Sequence, residues 1–265
     1  MSRTLSPVPR SVAVNVALTI RGRKFDLELG VIADTVGAEA MLPLFRSFAE
    51  SFVDVAVKEA EAQGKKISCQ KGCGACCRQL VPISAIEARQ LAKMIEQMPP
   101  VRRQIIRQRF ANARRKLDEA GLLESLSRPQ ELDDQRRESI SAEYFSLGIA
   151  CPFLEFESCS IHPERPIACR EYLVTSPAQN CASPMREKVE RIASPVGDVW
   201  TWVARMDERA TADYSGWIPL ILGLDYVANY PVEPTPRPGN EWVEEFFRFV
   251  CKKPQESSPQ EAKSA

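Results

Sequence analysis

Four cysteines lie within nine residues in the stretch Cys69-Gln70-Lys71-Gly72-Cys73-Gly74-Ala75-Cys76-Cys77. Thiolates are soft, anionic ligands that suit zinc, copper(I) and iron-sulfur clusters, and thiolates this close repel one another unless a cation neutralises them. Gly72 and Gly74 allow the backbone to turn sharply between the cysteines, at positive φ where needed. The stretch therefore predicts a loop that wraps a metal centre.

A second group of thiols occurs later in the chain, where prolines interrupt any regular pattern. Its members are Cys151, Cys159, Cys169 and Cys181. We predict irregular loops joined by metal, with the early and late thiols converging on a common inorganic centre. Cys77 diverges from its neighbour Cys76, so both cannot serve one tetrahedral ion without strain. Three roles stay open for Cys77: ligand of a second site, bridge between two metals, or reactive thiol.

Six further residues are considered as possible ligands or as counter-charges for the thiols. His162 is the only histidine, three positions after Cys159. With eight cysteines available we favour a non-ligand role for it. Cys251 follows an aromatic helical pattern, which predicts a small buried hydrophobe rather than a ligand. Buried thiolates would carry negative charge, and four cations lie near them in sequence: Lys71, Arg78, Arg165 and Arg170.

The first three cysteines have the spacing Cys-x3-Cys-x2-Cys. On a helical turn, Cys69, Cys73 and Cys76 would share one side. Radical enzymes that open S-adenosylmethionine at a [4Fe-4S] cluster use the same spacing, but they place it in a barrel of strand-helix repeats, and no such repeat occurs here. The sequence also has no Gly-rich phosphate loop, no GxSxG and no HExxH.

The elements that position the thiols are predicted to be mainly helical. Apolar residues alternate from Val12 to Ile20 and from Phe25 to Val31, which predicts a β-hairpin lying on the next helix. Helical spacing predicts the segments 37–62, 84–98, 101–126, 130–147 and 241–251. The 84–98 helix begins with the capping box Ser84-Ala85-Ile86-Glu87. The fold class is thus mainly α with a small N-terminal β-hairpin, a helical body around an irregular cysteine-rich metal-binding loop region.

Length and composition bound the organisation of the chain. We divide its 265 residues into a flexible leader (1–10), hairpin and helix (11–64), a helical cysteine-cluster domain (65–230), and a proline-rich connector with a short helix and polar tail (231–265). The formal net charge is zero, which argues against nucleic acid as the main partner. No apolar run is long enough for a membrane span. We expect a cytoplasmic protein with free thiols; the sequence identifies no protein partner.

Taken together, CQKGCGACC, CPFL at 151–154, CSIHPERP at 159–166, CREYLV at 169–174 and Cys181 resemble the YkgJ family of cysteine-cluster proteins. That family carries a domain described as zinc- or iron-chelating, and it is similar to flagellin lysine-N-methylases, which are thought to use an iron-sulfur cluster with S-adenosylmethionine. The resemblance implies a role in metal binding for Cys69, Cys73, Cys76, Cys77, Cys151, Cys159, Cys169 and Cys181. Relatives often have tyrosine at the position of His162, which argues against a ligand role for it.

Three functional classes follow. We favour an iron-sulfur cluster, because eight thiols and an adjacent pair suit a cluster better than a single zinc, with redox or S-adenosylmethionine-dependent methyl-transfer chemistry. The alternatives are a zinc-stapled structural or interaction protein and a metal-handling factor. For an enzyme, Cys77 and Arg78 are the candidates for catalytic duty. No substrate-binding residue is identified.

Overall fold

A computed structural model describes residues 10–20, 22–212 and 214–251. The predicted leader and polar tail lie outside these residues, except for Arg10. Nine α-helices occur in the described ranges: α1 (Leu42–Ala62), α2 (Ala85–Gln97), α3 (Pro100–Glu119), α4 (Leu123–Ser127), α5 (Asp134–Ser146), α6 (Ile167–Glu171), α7 (Val199–Ala204), α8 (Gly223–Asn229) and α9 (Gly239–Val250). None of these described helices is long and apolar enough to cross a membrane. The mainly α fold class is confirmed.

Strands form four small antiparallel pairs in the described residues. The pairs are β1 (Ser11–Ile20) with β2 (Arg23–Ile32), β3 (Thr35–Val36) with β8 (Arg237–Pro238), β4 (Pro82–Ile83) with β7 (Ile218–Pro219), and β5 (Leu154–Glu155) with β6 (Ser158–Cys159). The first pair is the predicted hairpin. Its register places Val14 opposite Leu29 and Leu18 opposite Phe25, so the alternating apolar residues share one face.

The hairpin, α1, α7 and α9 enclose one hydrophobic core, which we call the hairpin cluster. Phe246 of α9 is fully buried against Phe45 and Phe48 of α1, with ring centroids 4.9 and 5.3 Å apart. The hairpin therefore lies on α1, as predicted, and also on α9. Cys251 ends α9 and is exposed, so its prediction as a buried hydrophobe is wrong. The buried stripe of α9 runs through Trp242, Phe246 and Val250, and Cys251 is one residue past it.

Helices α2, α3, α4, α5 and α8 enclose a second core, which we call the helical cluster. Helix α2 is shared: Leu91 and Ile95 face the helical cluster, whereas Ile86 faces the hairpin cluster. The predicted capping box is present, with the Glu87 amide donating to Ser84 Oγ at 3.2 Å and the Ser84 amide donating to Glu87 Oε2 at 2.9 Å.

The helix predicted over 101–126 is two helices. Gly121 has a φ of +70°, which ends α3, and α4 begins two residues later. Helical spacing also predicts an apolar stripe along this segment through Ile105, Phe110, Ala113 and Leu117. The last three are buried, but Ile105 is 43 % exposed and Ile106 is buried in its place. The basic surface of α3 is neutralised by acids, since Arg102 and Arg109 pair with Glu155 and Arg107 pairs with Glu96.

Candidate metal centre

The early cysteines lie on an irregular loop that ends in a single 3₁₀ turn, Ala75–Arg78. The Cys73 amide donates to the Gln70 carbonyl at 3.1 Å, and the Cys77 amide donates to the Gly74 carbonyl at 3.1 Å. Cys69, Cys73 and Cys76 therefore do not share a helical turn. Gly72, with a φ of +88°, turns the chain back between Cys69 and Cys73 and prevents a continuous helix.

The late cysteines lie on short regular pieces, so the prediction of irregular loops is correct only in part. Cys159 ends the β5-β6 hairpin, Cys169 lies in α6, and Cys181 lies in a 3₁₀ helix, Ala178–Ala182. Cys151 precedes the hairpin, and its carbonyl accepts from the Leu154 amide at 2.9 Å. Prolines separate these pieces, but each piece is long enough for local hydrogen bonds.

The two groups of cysteines meet in space. The Cys151 amide donates to the Cys77 carbonyl at 2.7 Å, and the Ser68 amide donates to the Val174 carbonyl at 3.0 Å. The 3₁₀ turn that carries Cys76 and Cys77 packs against the 3₁₀ helix that carries Cys181. Segments about 75 to 105 residues apart in the chain are thus held side by side. We refer to residues 68–79 and 151–181 as the thiol region.

Cys76 is at the electrostatic centre of the thiol region. Burial is the largest cause of a raised pKa at five other cysteines, and a negative charge on Cys76 raises the pKa of each further. The five are Cys69, Cys151, Cys159, Cys169 and Cys181. Burial raises the pKa of Cys151 to about 12. Cys76 is itself hydrogen-bonded to Cys77, which raises its pKa more than burial does. Without a cation these thiols are favoured in the protonated form.

The same interactions separate the thiols into two neighbourhoods. Beyond burial, the pKa of Cys181 is raised by Cys76, Cys69 and Cys73. The pKa of Cys169 is raised by burial, then by Cys151, Cys76 and Cys159. Cys76 belongs to both neighbourhoods. In the described residues, no three or more His, Cys, Asp or Glu side chains are already arranged as a metal site.

Two arginines contribute positive charge to the thiols. After burial and a backbone hydrogen bond, Arg165 and then Arg170 affect the pKa of Cys159, and both lower it. Arg165 also lowers the pKa of Cys69 and of Cys76. Two of the four cations predicted to offset thiolate charge therefore lower the pKa of named thiols.

The other two predicted cations have their strongest interactions elsewhere, although the charge of Cys77 also raises the pKa of Arg78, after the hydrogen bond and charge of Glu157. Arg78 forms a two-point ion pair with Glu157, at 2.7 and 3.0 Å, and also donates to the Gly74 carbonyl at 2.9 Å. The positive charge of Lys71 acts on His162, whose pKa is lowered first by burial and then by Arg165, Arg170 and Lys71. The Arg165 guanidinium, which can only donate, lies 2.8 Å from His162 Nε2. That nitrogen is therefore an acceptor already in use, as expected of a non-ligand.

Two buried glutamates hold α6 in place, and sequence reasoning missed both roles. Glu87 accepts from the Ile167 amide at 2.7 Å in addition to closing the capping box. Glu171 accepts from the Val199 and Trp200 amides at 2.7 and 3.1 Å, at the beginning of α7. The capping box was the only sequence signal for Glu87, and nothing in the spacing identified Glu171. Together they fix the helix that carries Cys169.

Tyr172 is a further residue that sequence reasoning did not assign. Its hydroxyl accepts from Gln79 Nε2 at 3.0 Å and forms a hydrogen bond with Cys181 that lowers the pKa of that thiol. The Arg191 guanidinium lies 4.7 Å from the centre of the Tyr172 ring. Tyr172 therefore links the early loop and Cys181 to Arg191, which lies beyond the thiol region.

Residues 68–191 match the sequence model of the CxxCxxCC family, which is described as a "Putative zinc- or iron-chelating domain". This segment is similar to that family, and the match covers slightly less than half of the chain. The CxxCxxCC segment contains all eight candidate cysteines and excludes Cys251, and the match confirms the resemblance to YkgJ-type cysteine-cluster proteins. The chain has three residues between Cys69 and Cys73, one more than the family name spells, and the turn at Gly72 accommodates them. No curated protein and no solved structure matches the chain significantly.

Proposed function

We propose that the eight cysteines of the CxxCxxCC segment bind a metal centre, and that this centre is an iron-sulfur cluster serving redox chemistry. The observation that carries the proposal is the convergence of early and late thiols around Cys76. A negative charge on Cys76 raises the pKa of five other cysteines. A ligand set made of soft thiolates, in a chain with a single histidine, suits an iron-sulfur cluster or zinc.

The two neighbourhoods support a division into two sets of four thiols. Cys69, Cys73, Cys76 and Cys181 form the first set. Cys151, Cys159 and Cys169 form the second, and Cys77 completes it, because the Cys77 carbonyl is bonded to the Cys151 amide and adjacent side chains diverge. This assignment gives Cys77 the role of a ligand in a second site.

The donor set fits a soft cation. Burial and neighbouring thiols raise the pKa of six members of this set, and a bound cation reverses that effect by favouring thiolates. Arg165 and Arg170 offset part of the remaining negative charge. When bound, an iron-sulfur cluster supplies one-electron transfer. The protein's own residues hold and orient it: Glu87 and Glu171 position α6, and Tyr172 donates to the sulfur of Cys181.

The test is purification without oxygen, followed by metal and sulfide analysis and a visible spectrum. The proposal expects iron and acid-labile sulfide in comparable amounts and a coloured protein. Cys73→Ser and Cys169→Ser, one from each set, should each lower the metal content, whereas Cys251→Ser should not. Unchanged metal content and unchanged thermal melting in both set variants would overturn the assignment.

The second candidate is a zinc-stapled protein without catalysis, and one observation favours it: each proposed set has four thiols, the number of a structural zinc site. Methyl transfer is not part of our proposal, because the cavity beside Cys151, lined in part by Gln79 and Tyr144, is only about 10 Å³, which is room for about one water and not for S-adenosylmethionine. Colourless protein with two zinc ions would support this candidate, and readily exchanged, substoichiometric metal would support a metal-handling factor.

All nine thiols are free, which supports our proposal that the protein works in the reducing cytoplasm. A disulfide between any two of the eight cysteines, found by mass spectrometry of protein alkylated inside intact cells, would contradict this.

A further inference from the structure

A cleft of about 290 Å³ lies outside the thiol region. It opens between the end of α4 with the 3₁₀ turn after it, which contribute Arg128, and the segment that runs from β7 into α8. Its volume is at the lower end of about 300–1,000 Å³, the range of small-molecule pockets in proteins. The cleft is large enough for a one- or two-ring ligand.

One wall of the cleft is aromatic and rigid. The rings of Tyr226 and Tyr230 are stacked, with centroids 4.9 Å apart and planes at 29°. The Arg209 guanidinium lies 4.4 Å from the Tyr226 ring centre and 5.3 Å from that of Tyr230. Asp207 fixes this arrangement, because it accepts from Arg209 Nε at 2.8 Å and from the Tyr226 hydroxyl at 3.0 Å.

The aromatic wall is not hidden by the protein itself. Tyr230 is 49 % exposed, and its backbone carbonyl accepts a hydrogen bond from Arg89 Nη1 at 2.9 Å. Trp217, which is half-buried, also lines the cleft. A flat ring in the cleft can therefore stack on aromatic surface that is already in position, so little conformational freedom is lost on binding.

The lining of the cleft includes one cation that can exchange its present partners for a ligand anion. Arg128 lies at the rim, and its ion pairs with Glu124 and Glu131 are long, at 3.5 and 4.0 Å, and exposed, so they hold it weakly. The lining acid, Asp225, is already paired with Arg114 at 3.1 Å. The side chains of Ser127 and Asn229 also line the cleft and have no hydrogen-bond partner among the described residues.

We propose that this cleft binds a small planar aromatic molecule that carries one anionic group. The ring stacks on Tyr230 and contacts Trp217, and the anion lies beside Arg128. Such a site is independent of the metal centre, since none of the eight candidate cysteines lines the cleft. It would give the protein a small-molecule ligand in addition to its metal.

The experiment uses the full-length metal-loaded protein and naphthalene-2-sulfonate as the probe, with binding followed by isothermal titration and by tryptophan fluorescence. The neutral naphthalene-2-methanol is the matched compound. Tyr230→Ala should weaken binding of the sulfonate about 5- to 10-fold, the size expected for loss of an aromatic stack. Arg128→Gln should weaken the sulfonate several-fold and leave the neutral compound unchanged. Arg115→Gln, an exposed arginine of α3 paired with Glu119, is the control and should change neither.

Three results would overturn the proposal: no binding of the probe at millimolar concentration, a Tyr230→Ala or Arg128→Gln protein that binds the sulfonate as tightly as the wild type does, or a neutral compound that binds as well as the sulfonate. Metal content and thermal melting of each variant are measured in parallel. Both should equal the wild-type values, so a failure of the metal proposal is distinguishable from a failure of this one.

Discussion

The hydrophobic clusters and the thiol region are held together by different interactions. The two clusters bury large apolar side chains almost completely, among them Phe45 and Phe246 in one and Ile95 and Leu117 in the other. In the thiol region seven of the eight candidate cysteines are only half-buried, and its two halves are joined by backbone hydrogen bonds. Its apolar anchors lie at its borders: Phe153 and Ile161 pack in the helical cluster, and Ile167 packs in the hairpin cluster.

This contrast shows where stability must originate. Burial of apolar area drives the clusters to fold without any ligand. Between them, the thiols repel one another once ionised, and few nearby cations oppose that repulsion: Arg165 and Arg170 lower thiol pKa values, and Arg78 interacts with the charge of Cys77. The thiol region therefore depends on a bound metal far more than the clusters do. The predictions below test that difference, in order of expected size.

Removing the metal should give the largest effect. In small zinc domains metal binding contributes roughly 10–16 kcal/mol, comparable to the whole stability of a domain. After chelation, hydrogen exchange measured by mass spectrometry should lose its protection in residues 68–79 and 151–181, while α2 and α3 keep theirs. Cys251→Ser protein should lose protection in the same pattern as the wild type. Equal loss of protection over the whole chain would show that the clusters also need the metal.

Truncating a cluster residue should give the complementary result. Phe246→Ala removes a fully buried ring that contacts Phe45, Phe48 and Trp202, and such changes reduce stability by about 3–5 kcal/mol. Denaturant unfolding should show this loss, while the metal content of the folded fraction stays constant. Phe156→Ala is the control, because Phe156 is fully exposed and should change stability by about 0.5 kcal/mol or less. If the metal content of the folded fraction fell in proportion to the loss of stability, the hairpin cluster and the thiol region would not be independent of each other.

The sequence predicted the clusters better than the thiol region, for a physical reason. Helical and strand spacing report local burial, so the hairpin, α1, α2, α5 and α9 were identified, and Ser84 fixed the beginning of α2. Errors fell where one residue decides the outcome: the break at Gly121 and the exposed position of Cys251. The division into domains stays a prediction.

For the candidate site, residue type was enough to nominate the eight cysteines, and the resemblance pointed to the same set. Spacing did not predict which of them are neighbours, because that depends on long-range bonds such as the one from the Cys151 amide to the Cys77 carbonyl. Supporting residues such as Glu171 and Tyr172 also leave no periodic signal. Their roles follow from partners that are distant in sequence.

Glu171 makes a pH-dependent contribution at the border of the thiol region. Burial raises its pKa to about 8 from its ordinary value of 4.5, although the Val199 and Trp200 amides lower it. Between these values the folded chain binds a proton that the unfolded chain does not, so stability falls as the pH rises from about 5 to about 8. We expect a loss of roughly 3–4 kcal/mol over that window, since each pKa unit corresponds to about 1.4 kcal/mol.

Comparing wild type and Glu171→Gln isolates this contribution, because the thiols titrate in both proteins. Urea unfolding at pH 5.5 and at pH 8.5 should show a smaller decrease with pH for Glu171→Gln than for the wild type. Glu61→Gln, which alters an exposed acid of α1, should retain the wild-type decrease. Parallel pH profiles for all three proteins would mean that Glu171 is ionised throughout.

The smallest effect concerns the contact between the early loop and the β5-β6 hairpin. A Cβ added at Gly74 would lie 2.7 Å from Leu154 Cδ1 and 3.2 Å from Glu157 Cα, and the Glu157 carboxylate would be closer still. The two side chains can move, but the hairpin backbone is held, because the Arg78-Glu157 ion pair spans the same contact. Gly74→Ala should therefore push the early loop from the hairpin and cost about 1–2 kcal/mol.

Gly30 provides the matched control for Gly74, since a Cβ there meets nothing within 4 Å and its backbone is extended. Gly30→Ala should melt as the wild type does. Gly74→Ala should melt at a lower temperature and, because Cys73 and Cys76 flank the altered residue, should also retain less metal after mild chelation. If the two variants melt alike, the predicted loss of stability is wrong. If Gly74→Ala nevertheless loses metal more readily, then the close approach at Gly74 contributes to metal retention and not to the stability of the fold.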